Sequence, residues 1–182
     1  MRDYQIKIEP FEYVAIQELK ISQTINEHAG AEFVMRIRDG LAEQYMGLLS
    51  EKLWVRMIGI DRTDGSDICT VIFQGIVTDY SLYRNGYETL LKLQLTSGTI
   101  LMDLKQHFRV FQKEDALCAD IQQKIAATYP ENKLVLTEGT QDQTQGVLVQ
   151  FQETDWDFLK RLAKRNGRYL VPDALRKGVC YS

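Results

Sequence analysis

Residues 150–171 read QFQETDWDFLKRLAKRNGRYLV, and this stretch predicts a strand, a capped helix and a second strand. Thr154 stands where a helix N-cap is needed, and Asp157 three residues later completes an acidic variant of the capping box. Asp155 and Asp157 lie near the positive end of the helix dipole, and basic residues follow toward its negative end. Gly167 stands where a left-handed C-cap is needed. The stretch therefore predicts one helix with well-defined ends.

This helix has one apolar side and one basic side. Apolar residues recur at helical spacing on the first side, and four of them are expected to dock the helix on the fold: Trp156, Phe158, Leu159 and Leu162. The basic side is either a solvated helix face or a contact with an acidic partner subunit. Its residues are Lys160, Arg161, Lys164 and Arg165.

The first hundred residues have mainly β patterns. Apolar and polar residues alternate around Ile6, Ile16 and Phe33, as they do in strands with one buried face and one solvated face. Residues 41–49 have apolar residues at helical spacing instead, which predicts one short helix between strands. Strands in hairpin succession with one inserted helix predict an antiparallel barrel or sandwich.

A long strand and a tight hairpin follow. Residues 68–82 predict one long strand, or two, bent at Gly75 because glycine in a strand often marks a bend or a close approach. Asn85 and Gly86 predict a hairpin with a type I′ turn, which favours Asn-Gly at its centre. We expect Gly75, like Gly167, to be required for the backbone conformation.

The pattern changes near Ser97, where helical signals become more frequent. Asp115 is expected to cap a helix that Pro130 ends. A polar loop is expected at residues 138–146. The sequence therefore predicts a mainly β, α+β protein in two parts, residues 1–98 and residues 99–182.

Composition excludes several classes of function. The chain has 182 residues, of which 45% are hydrophobic and 26% are charged, and its net charge is -3. This balance does not favour a general nucleic-acid-binding surface, and no apolar run is long enough for a membrane span. The first residues have no apolar core, so we expect no signal peptide and synthesis in the cytoplasm. Residues 178–182 resemble a strand that is just starting, so the chain is expected to be the front part of a longer protein.

The sequence indicates no metal or cofactor. Cysteines 69, 118 and 180 are separated and odd in number, which favours buried or half-buried thiols over a disulfide framework or a metal site. His28 and His107 are far apart and lack acidic or Cys neighbours arranged as ligands, so a zinc site or a His-based triad is not expected. Asp61, Asp64 and Asp67 lack the downstream glutamate of a calcium loop and are expected at a solvated hairpin tip.

One acidic pair admits a catalytic alternative. Asp155 and Asp157 flank Trp156, an arrangement that a carbohydrate cleft of a cell-wall hydrolase would use. Residues two apart on a helix point in different directions, so capping and dipole effects explain the pair better. We therefore expect no enzyme, with a hydrolase or a carbohydrate-binding barrel as the alternatives.

Three segments, in order, resemble the phage late control protein D family, which includes the VgrG proteins of type VI secretion and the baseplate hubs of contractile phage tails. Residues 153–169 are similar to an acidic-aromatic helix of that family. Residues 73–80, FQGIVTDY, resemble one of its strands, and residues 97–112 resemble the stretch that ends in Phe-Gln. The similarity runs from about Leu53 to Tyr169.

The resemblance implies a structural hub, the adaptor between spike and tube in a phage tail, a tailocin or a type VI-like machine. It implies a tube-like antiparallel β-barrel over residues 1–98 and the helix-containing start of a second barrel over residues 99–182. Three subunits would form a closed ring. The implied partners are two further copies of the chain, the tail tube protein and the spike, and the implied place is the assembled baseplate.

Overall fold

The structure is a computed structural model that describes residues 3–49, 52–63, 66–112, 116–136, 140–144 and 146–182. The chain divides into two compact units. The first consists of Met1–Ser22, Ala29–Ser97 and Ala174–Lys177. The second consists of Gln23–His28, Gly98–Asp173 and Gly178–Ser182. Whether residues 1–98 and 99–182 are separate domains stays a prediction.

A six-stranded antiparallel sheet forms the first unit within the described residues. Its strands are β1 (Asp3–Glu9), β2 (Ala15–Ser22), β3 (Gly30–Ile37), β4 (Trp54–Thr63), β5 (Ser66–Asn85) and β6 (Glu88–Thr96). The strand order is β1-β4-β5-β6-β3-β2, so β1 and β2 are the edges. A short 3-10 turn at Asp39–Leu41 and the helix α1 (Ala42–Leu48) separate β3 from β4. The predicted mainly β fold with an inserted helix is confirmed, and its barrel takes the form of a curled sheet.

The core of the first unit follows from the alternation along its strands. Phe33 and Met35 on β3 are fully buried. The side chain of Arg36 points to the other face of the sheet, where its guanidinium group lies 2.5 Å from the Glu88 carboxylate. Tyr45 of α1 joins this core: its hydroxyl donates to the backbone oxygen of Glu12 at 2.9 Å and accepts from the backbone nitrogen at 2.7 Å. The helix is therefore fixed to the sheet by packing and by paired hydrogen bonds.

The hairpin between β5 and β6 is present, but its turn type differs from the prediction. Asn85 pairs with Glu88, so the central residues are Gly86 and Tyr87. Gly86 has a φ of 61° and Tyr87 has a negative φ, which is the pattern of a type II′ turn. The type I′ expectation was wrong because glycine takes the first central position rather than the second.

Among its described residues, the second unit consists of short strands and three helical segments. They are a 3-10 helix (Gly98–Asp103), β7 (Gln106–Phe111), α2 (Cys118–Ala126), β8 (Lys133–Leu134), β9 (Leu148–Thr154), α3 (Asp155–Arg165) and β10 (Cys180–Tyr181). Strands β7 and β9 pair antiparallel, and β8 and β10 pair parallel. The predicted helix with sharp ends, α3, is present within the predicted stretch.

Two expectations about these elements need comment. Helix α2 has Leu117 as its N-cap, without a side-chain cap, and Asp115 lies outside the described residues. Residues 138, 139 and 145 of the predicted polar loop also lie outside them, as does Asp64. Cys118 and Cys180 are buried as expected, but Cys69 is exposed, because its stretch of β5 extends over the less covered end of the sheet, where neighbouring Ile68 is exposed too.

Candidate functional site

Several polar side chains of the second unit meet at the start of α3. The apolar side of the helix is buried as its spacing predicts: Trp156, Phe158, Leu159 and Leu162 expose 3% or less of their surface. Phe158 stacks on Phe111 with 5.5 Å between ring centroids, and Trp156 meets Tyr181 edge to face at 5.8 Å. Burying side chains of this size is a main source of folding free energy.

Both predicted caps of α3 are present. The Thr154 hydroxyl accepts a hydrogen bond from the backbone nitrogen of Asp157 at 3.2 Å. The same hydroxyl donates to Oδ1 of Asp103 at 2.6 Å, so the cap also ties the helix to the preceding 3-10 helix. Gly167 has a φ of 64°, the left-handed conformation that a C-cap glycine supplies. Asp157 forms an ion pair with Lys160 at 2.9 Å.

Asp155 has a role that the sequence did not indicate. Its carboxylate has no exposed surface and accepts from Gln150 Nε2 at 2.8 Å, from Tyr129 Oη at 2.7 Å and from both Nη atoms of Arg109. His107 Nε2 lies 3.6 Å from it. We call Asp155 with these four side chains the Asp155 network. Capping and dipole effects, which the sequence suggested for Asp155, do not describe these contacts, because its side chain turns into the unit rather than to solvent.

The electrostatics of this network favour a charged Asp155. Burial alone raises the pKa of the carboxyl group, but hydrogen bonds from Arg109, Gln150 and Tyr129 together hold the pKa below its ordinary value. Burial and the hydrogen bond to Asp155 raise the pKa of Tyr129, which therefore stays protonated as a donor. Burial lowers the pKa of His107, although the charge of Asp155 opposes this shift.

A second histidine lies beside Trp156, and it too has an acidic partner. His28 Nε2 lies 2.8 Å from Asp103 Oδ2, and its Nδ1 lies 2.8 Å from Thr99 Oγ1. A carboxylate only accepts hydrogen bonds, so Nε2 carries the proton that faces Asp103. The ring of His28 lies on Trp156 with centroids 5.0 Å apart. The acidic partners of His28 and His107, Asp103 and Asp155, are distant from them in sequence, so the spacing of residues along the chain did not indicate these pairs.

The loop before β3 is fixed to the same helix by one asparagine. Asn26 has a φ of 64°, and its backbone oxygen accepts from Trp156 Nε1 at 3.2 Å. Its backbone nitrogen and its Oδ1 bond the backbone oxygen and nitrogen of Leu170 at 2.7 and 2.9 Å. Asparagine tolerates this left-handed conformation better than most residues.

The remaining predicted structural residues lie in the first unit. A Cβ on Gly75 would stand 2.6 Å from the backbone oxygen of Thr96 and 2.7 Å from Phe73. Gly75 thus lies at a close approach to a neighbouring strand, and its φ is not positive. Asn85 and Gly86 form the hairpin end described above. The structural roles of all these residues stay predictions.

The outer side of the β7–β9 pair is apolar and exposed. Phe108 pairs with Phe151 and Val110 with Val149, and all four side chains are substantially exposed. The phenyl rings meet edge to face at 5.6 Å. The other side of the pair faces the core through Leu148. Such a patch is larger than single exposed apolar residues, which are ordinary on protein surfaces.

The basic side of α3 is largely engaged within the unit. Arg161 donates hydrogen bonds to Glu153 at 2.8 and 3.0 Å and to the backbone oxygen of Val149 at 2.8 Å.

Among the residues that the structure describes, no group of three or more His, Cys, Asp or Glu side chains is placed to hold a metal ion. In the same part of the chain, no helix is both long enough and apolar enough to cross a membrane.

Three solved structures have a similar fold. A 43 kDa tail protein of prophage MuSo2 from Shewanella oneidensis has a TM-score of 0.65 and 12% identity, over 100% of this chain and 53% of its own. A type VI secretion component from Escherichia coli is described as similar to the T4 tail proteins gp27 and gp5. It has a TM-score of 0.57 and 13% identity, over 97% of this chain and 48% of its own. A chain of the Francisella PdpA–VgrG complex has a TM-score of 0.62 and 14% identity, over 100% of this chain and 31% of its own.

The similarity to solved structures shows the fold, and a comparison with family models shows the family. The chain spans about half the length of the first two of these relatives. A search among curated proteins gave no significant match. A model of the phage tail baseplate hub (GPD) family matches residues 58–174, well over half of the chain. This confirms the resemblance seen in the sequence and the expectation of a structural hub component of a tail-like machine. The chain belongs to the phage tail baseplate hub (GPD) family.

Proposed function

We propose that this chain works as the adaptor between spike and tube in the hub of a contractile injection machine. The family match over residues 58–174 is the observation that carries the proposal. In this proposal three copies assemble into a closed ring that meets the tail tube on one side and the spike on the other. The chain is made in the cytoplasm and becomes part of the assembled baseplate.

The proposed role involves no turnover and no cofactor. Asp155 and Asp157 are the acidic pair on which the hydrolase alternative rests. Asp155 has no exposed surface and Asp157 is paired with Lys160. A general acid needs access to its substrate, so the burial of Asp155 supports a structural role for this residue. Replacing Asp157 with Asn is expected to leave any cell-wall-degrading activity of a preparation unchanged.

Binding to tube ends is the direct test of this role. The intact gene product, labelled with gold, is mixed with assembled tubes of the matching tail tube protein and viewed by negative-stain electron microscopy. The proposal predicts label at one end of the tubes and none along their length. Label spread along the sides, or no label on tubes at all, would contradict it. A tube protein from an unrelated tail serves as the control.

A further inference from the structure

The chain passes between its two units more often than two consecutive domains require. It leaves the first unit after Ser22 and returns at Ala29, leaves it again after Ser97, and comes back once more for Ala174–Lys177. Two short segments therefore belong to the unit that does not contain their neighbours in sequence. We call Gln23–His28 the first strap and Ala174–Lys177 the second strap.

The first strap is held in the second unit by hydrogen bonds of its backbone and of its side chains. The Asn26 backbone nitrogen donates to the backbone oxygen of Leu170 at 2.7 Å, and Asn26 Oδ1 accepts from the Leu170 nitrogen at 2.9 Å. The backbone oxygen of Asn26 accepts from Trp156. Gln23 Nε2 donates to the backbone oxygen of Pro172 at 2.7 Å. All these partners belong to the second unit.

The base of the first strap is closed within the first unit. The Ser97 backbone nitrogen donates to the backbone oxygen of Ala29 at 2.8 Å, and the Ser97 hydroxyl accepts from the Ala29 nitrogen at 3.1 Å. Both residues are buried. At the other end of the strap, Ser22 pairs with Gly30 as the last step of the β2–β3 ladder. The strap is thus a loop whose two ends are fixed in one unit and whose tip is fixed in the other.

The second strap has the reverse arrangement, with its tip in the first unit. Ala174 is buried in the core of that unit, and its backbone oxygen accepts from the Gln74 backbone nitrogen at 2.5 Å. Gln74 Nε2 donates to the backbone oxygen of Leu175 at 2.9 Å. The ladder of β5 with β6 begins at Ile76, so Gln74 lies just outside it and its amide group is available to the strap.

The base of the second strap is closed within the second unit. The Asp173 backbone nitrogen donates to the backbone oxygen of Cys180 at 2.8 Å. On the other side of the strap, Gly178 has a φ of 99°, and a Cβ there would stand 1.8 Å from the backbone oxygen of Glu131. Glycine alone suits both this conformation and this close approach. The second strap is therefore also a short loop that is held at both ends.

We propose that the two straps make the units one cooperative structure, in which neither unit unfolds while the other stays folded. Unfolding of the first unit opens the base of the first strap and removes the buried site of Ala174. Unfolding of the second unit opens the base of the second strap and removes the partners of Asn26. Parts of a fold otherwise open separately, with free energies of their own. The inference concerns how the chain holds together and is independent of the hub role.

Pulse-labelling hydrogen exchange across a urea series tests the coupling in the full chain. Mass spectrometry follows a peptide from β3 for the first unit and a peptide from α3 for the second unit in the same sample. The inference predicts one transition, with the same midpoint for both peptides. Midpoints that differ by more than about 0.5 M urea would overturn it.

A variant of both straps tests whether they cause the coupling. Asn26→Gly keeps the left-handed conformation accessible and removes the side-chain hydrogen bond to Leu170. Ala174→Asp places a charge in the core of the first unit and thereby releases the second strap. The double variant is expected to separate the two midpoints by at least about 0.5 M urea. A single shared midpoint in the folded double variant would contradict the inference.

Two control variants separate the straps from general loss of stability. Tyr45→Phe removes the hydroxyl group that bonds Glu12 in the first unit, outside both straps, and is expected to lower both midpoints equally. Leu175→Asp places the same charge beside Ala174, at a side chain that is exposed, and is expected to keep one shared midpoint. Separate midpoints in either control would show that the straps are not the cause.

Hydrogen exchange in the unaltered chain gives a second measurement if the double variant does not fold. The Gln74 amide proton reports on the second strap, because it is bonded to Ala174. The inference predicts that it exchanges within about tenfold of the slowest amide protons of β3, since both need unfolding of the whole chain. Much faster exchange of the Gln74 amide proton would mean that the strap opens by itself, and the inference would fall.

Discussion

At the residue scale, the second unit depends on a carboxylate that has lost all contact with solvent. Asp155 keeps its charge because Arg109, Gln150 and Tyr129 donate to it. These donors lie 46, 5 and 26 residues away along the chain. Sequence spacing predicts contacts within one helix or hairpin, and only Gln150 is that near. The acidic pair at the helix start was visible in the sequence, but the inward direction of its first member was not.

Replacing Asp155 with Asn removes the charge that Arg109 faces. We expect the free energy of unfolding to fall by about 2–3 kcal/mol, since a buried hydrogen-bonded charge loses its partner while Arg109 keeps some access to water. Urea denaturation measures the loss. Asp157→Asn, two residues along the same helix start, is the control and is expected to cost less than about 1 kcal/mol. Equal losses of stability in the two variants would show that Asp155 acts on stability only through the helix dipole.

The two shifted groups of the network predict the dependence of stability on pH. The folded protein lowers the pKa of His107 below 6.5. His107 therefore makes its full contribution to stability above that pH. The contribution is lost as the pH falls, because the unfolded chain takes up a proton on His107 at a higher pH than the folded protein does. The lowered pKa of Asp155 acts in the same direction, but only near and below pH 3.8. His107→Asn is therefore expected to lose less stability than the wild type between about pH 7.5 and about pH 5.5. Identical losses in urea denaturation would refute this assignment.

At the element scale, α3 was predictable because its end signals are local. Thr154 and Gly167 act on backbone groups within one helical turn, so the sequence contains both ends of the helix. Helix α2 lacks such a cap among its described residues, and its start was correspondingly misplaced. The turn of the β5–β6 hairpin was shifted by one residue because Asn-Gly is compatible with more than one position in a two-residue turn.

The cap of α3 is expected to stabilise the unit through two hydrogen bonds of one hydroxyl group. Thr154→Ala removes the bond to the Asp157 backbone and the bond to Asp103. We expect a loss of about 1–2 kcal/mol. Thr154→Ser keeps the hydroxyl group and is expected to recover most of that loss in thermal denaturation. If serine were as destabilising as alanine, the methyl group rather than the cap would be responsible.

Two glycines in open surroundings predict opposite effects of the same substitution. A Cβ on Gly167 or on Gly47 would meet no atom within 4 Å, so packing is equal. Gly167 has a φ of 64°, and Gly167→Ala is expected to destabilise by about 1 kcal/mol. Gly47 lies within α1, and Gly47→Ala is expected to stabilise by about 0.5–1 kcal/mol. Circular dichroism melting of both variants gives the two signs.

At the scale of the whole molecule, the mainly β class and the family were accessible from sequence because several segments with their own patterns occur in a fixed order. The exposed apolar face of the β7–β9 pair could not be predicted from the sequence, since alternation alone does not say which side of a strand pair is covered. Its residues are Phe108, Val110, Val149 and Phe151. The division into residues 1–98 and 99–182 stays a prediction. Separate expression of residues 1–98 is expected to give a cooperative unfolding transition if that part is a domain.

The measurement that tests the hub role most directly is the solution mass of the intact gene product by multi-angle light scattering, alone and with the matching tube protein. The account predicts a trimer that elutes together with the tube protein. A monomer at micromolar concentration that leaves the tube protein in its own peak would contradict it, and the likeness to the hub family would then extend to fold alone.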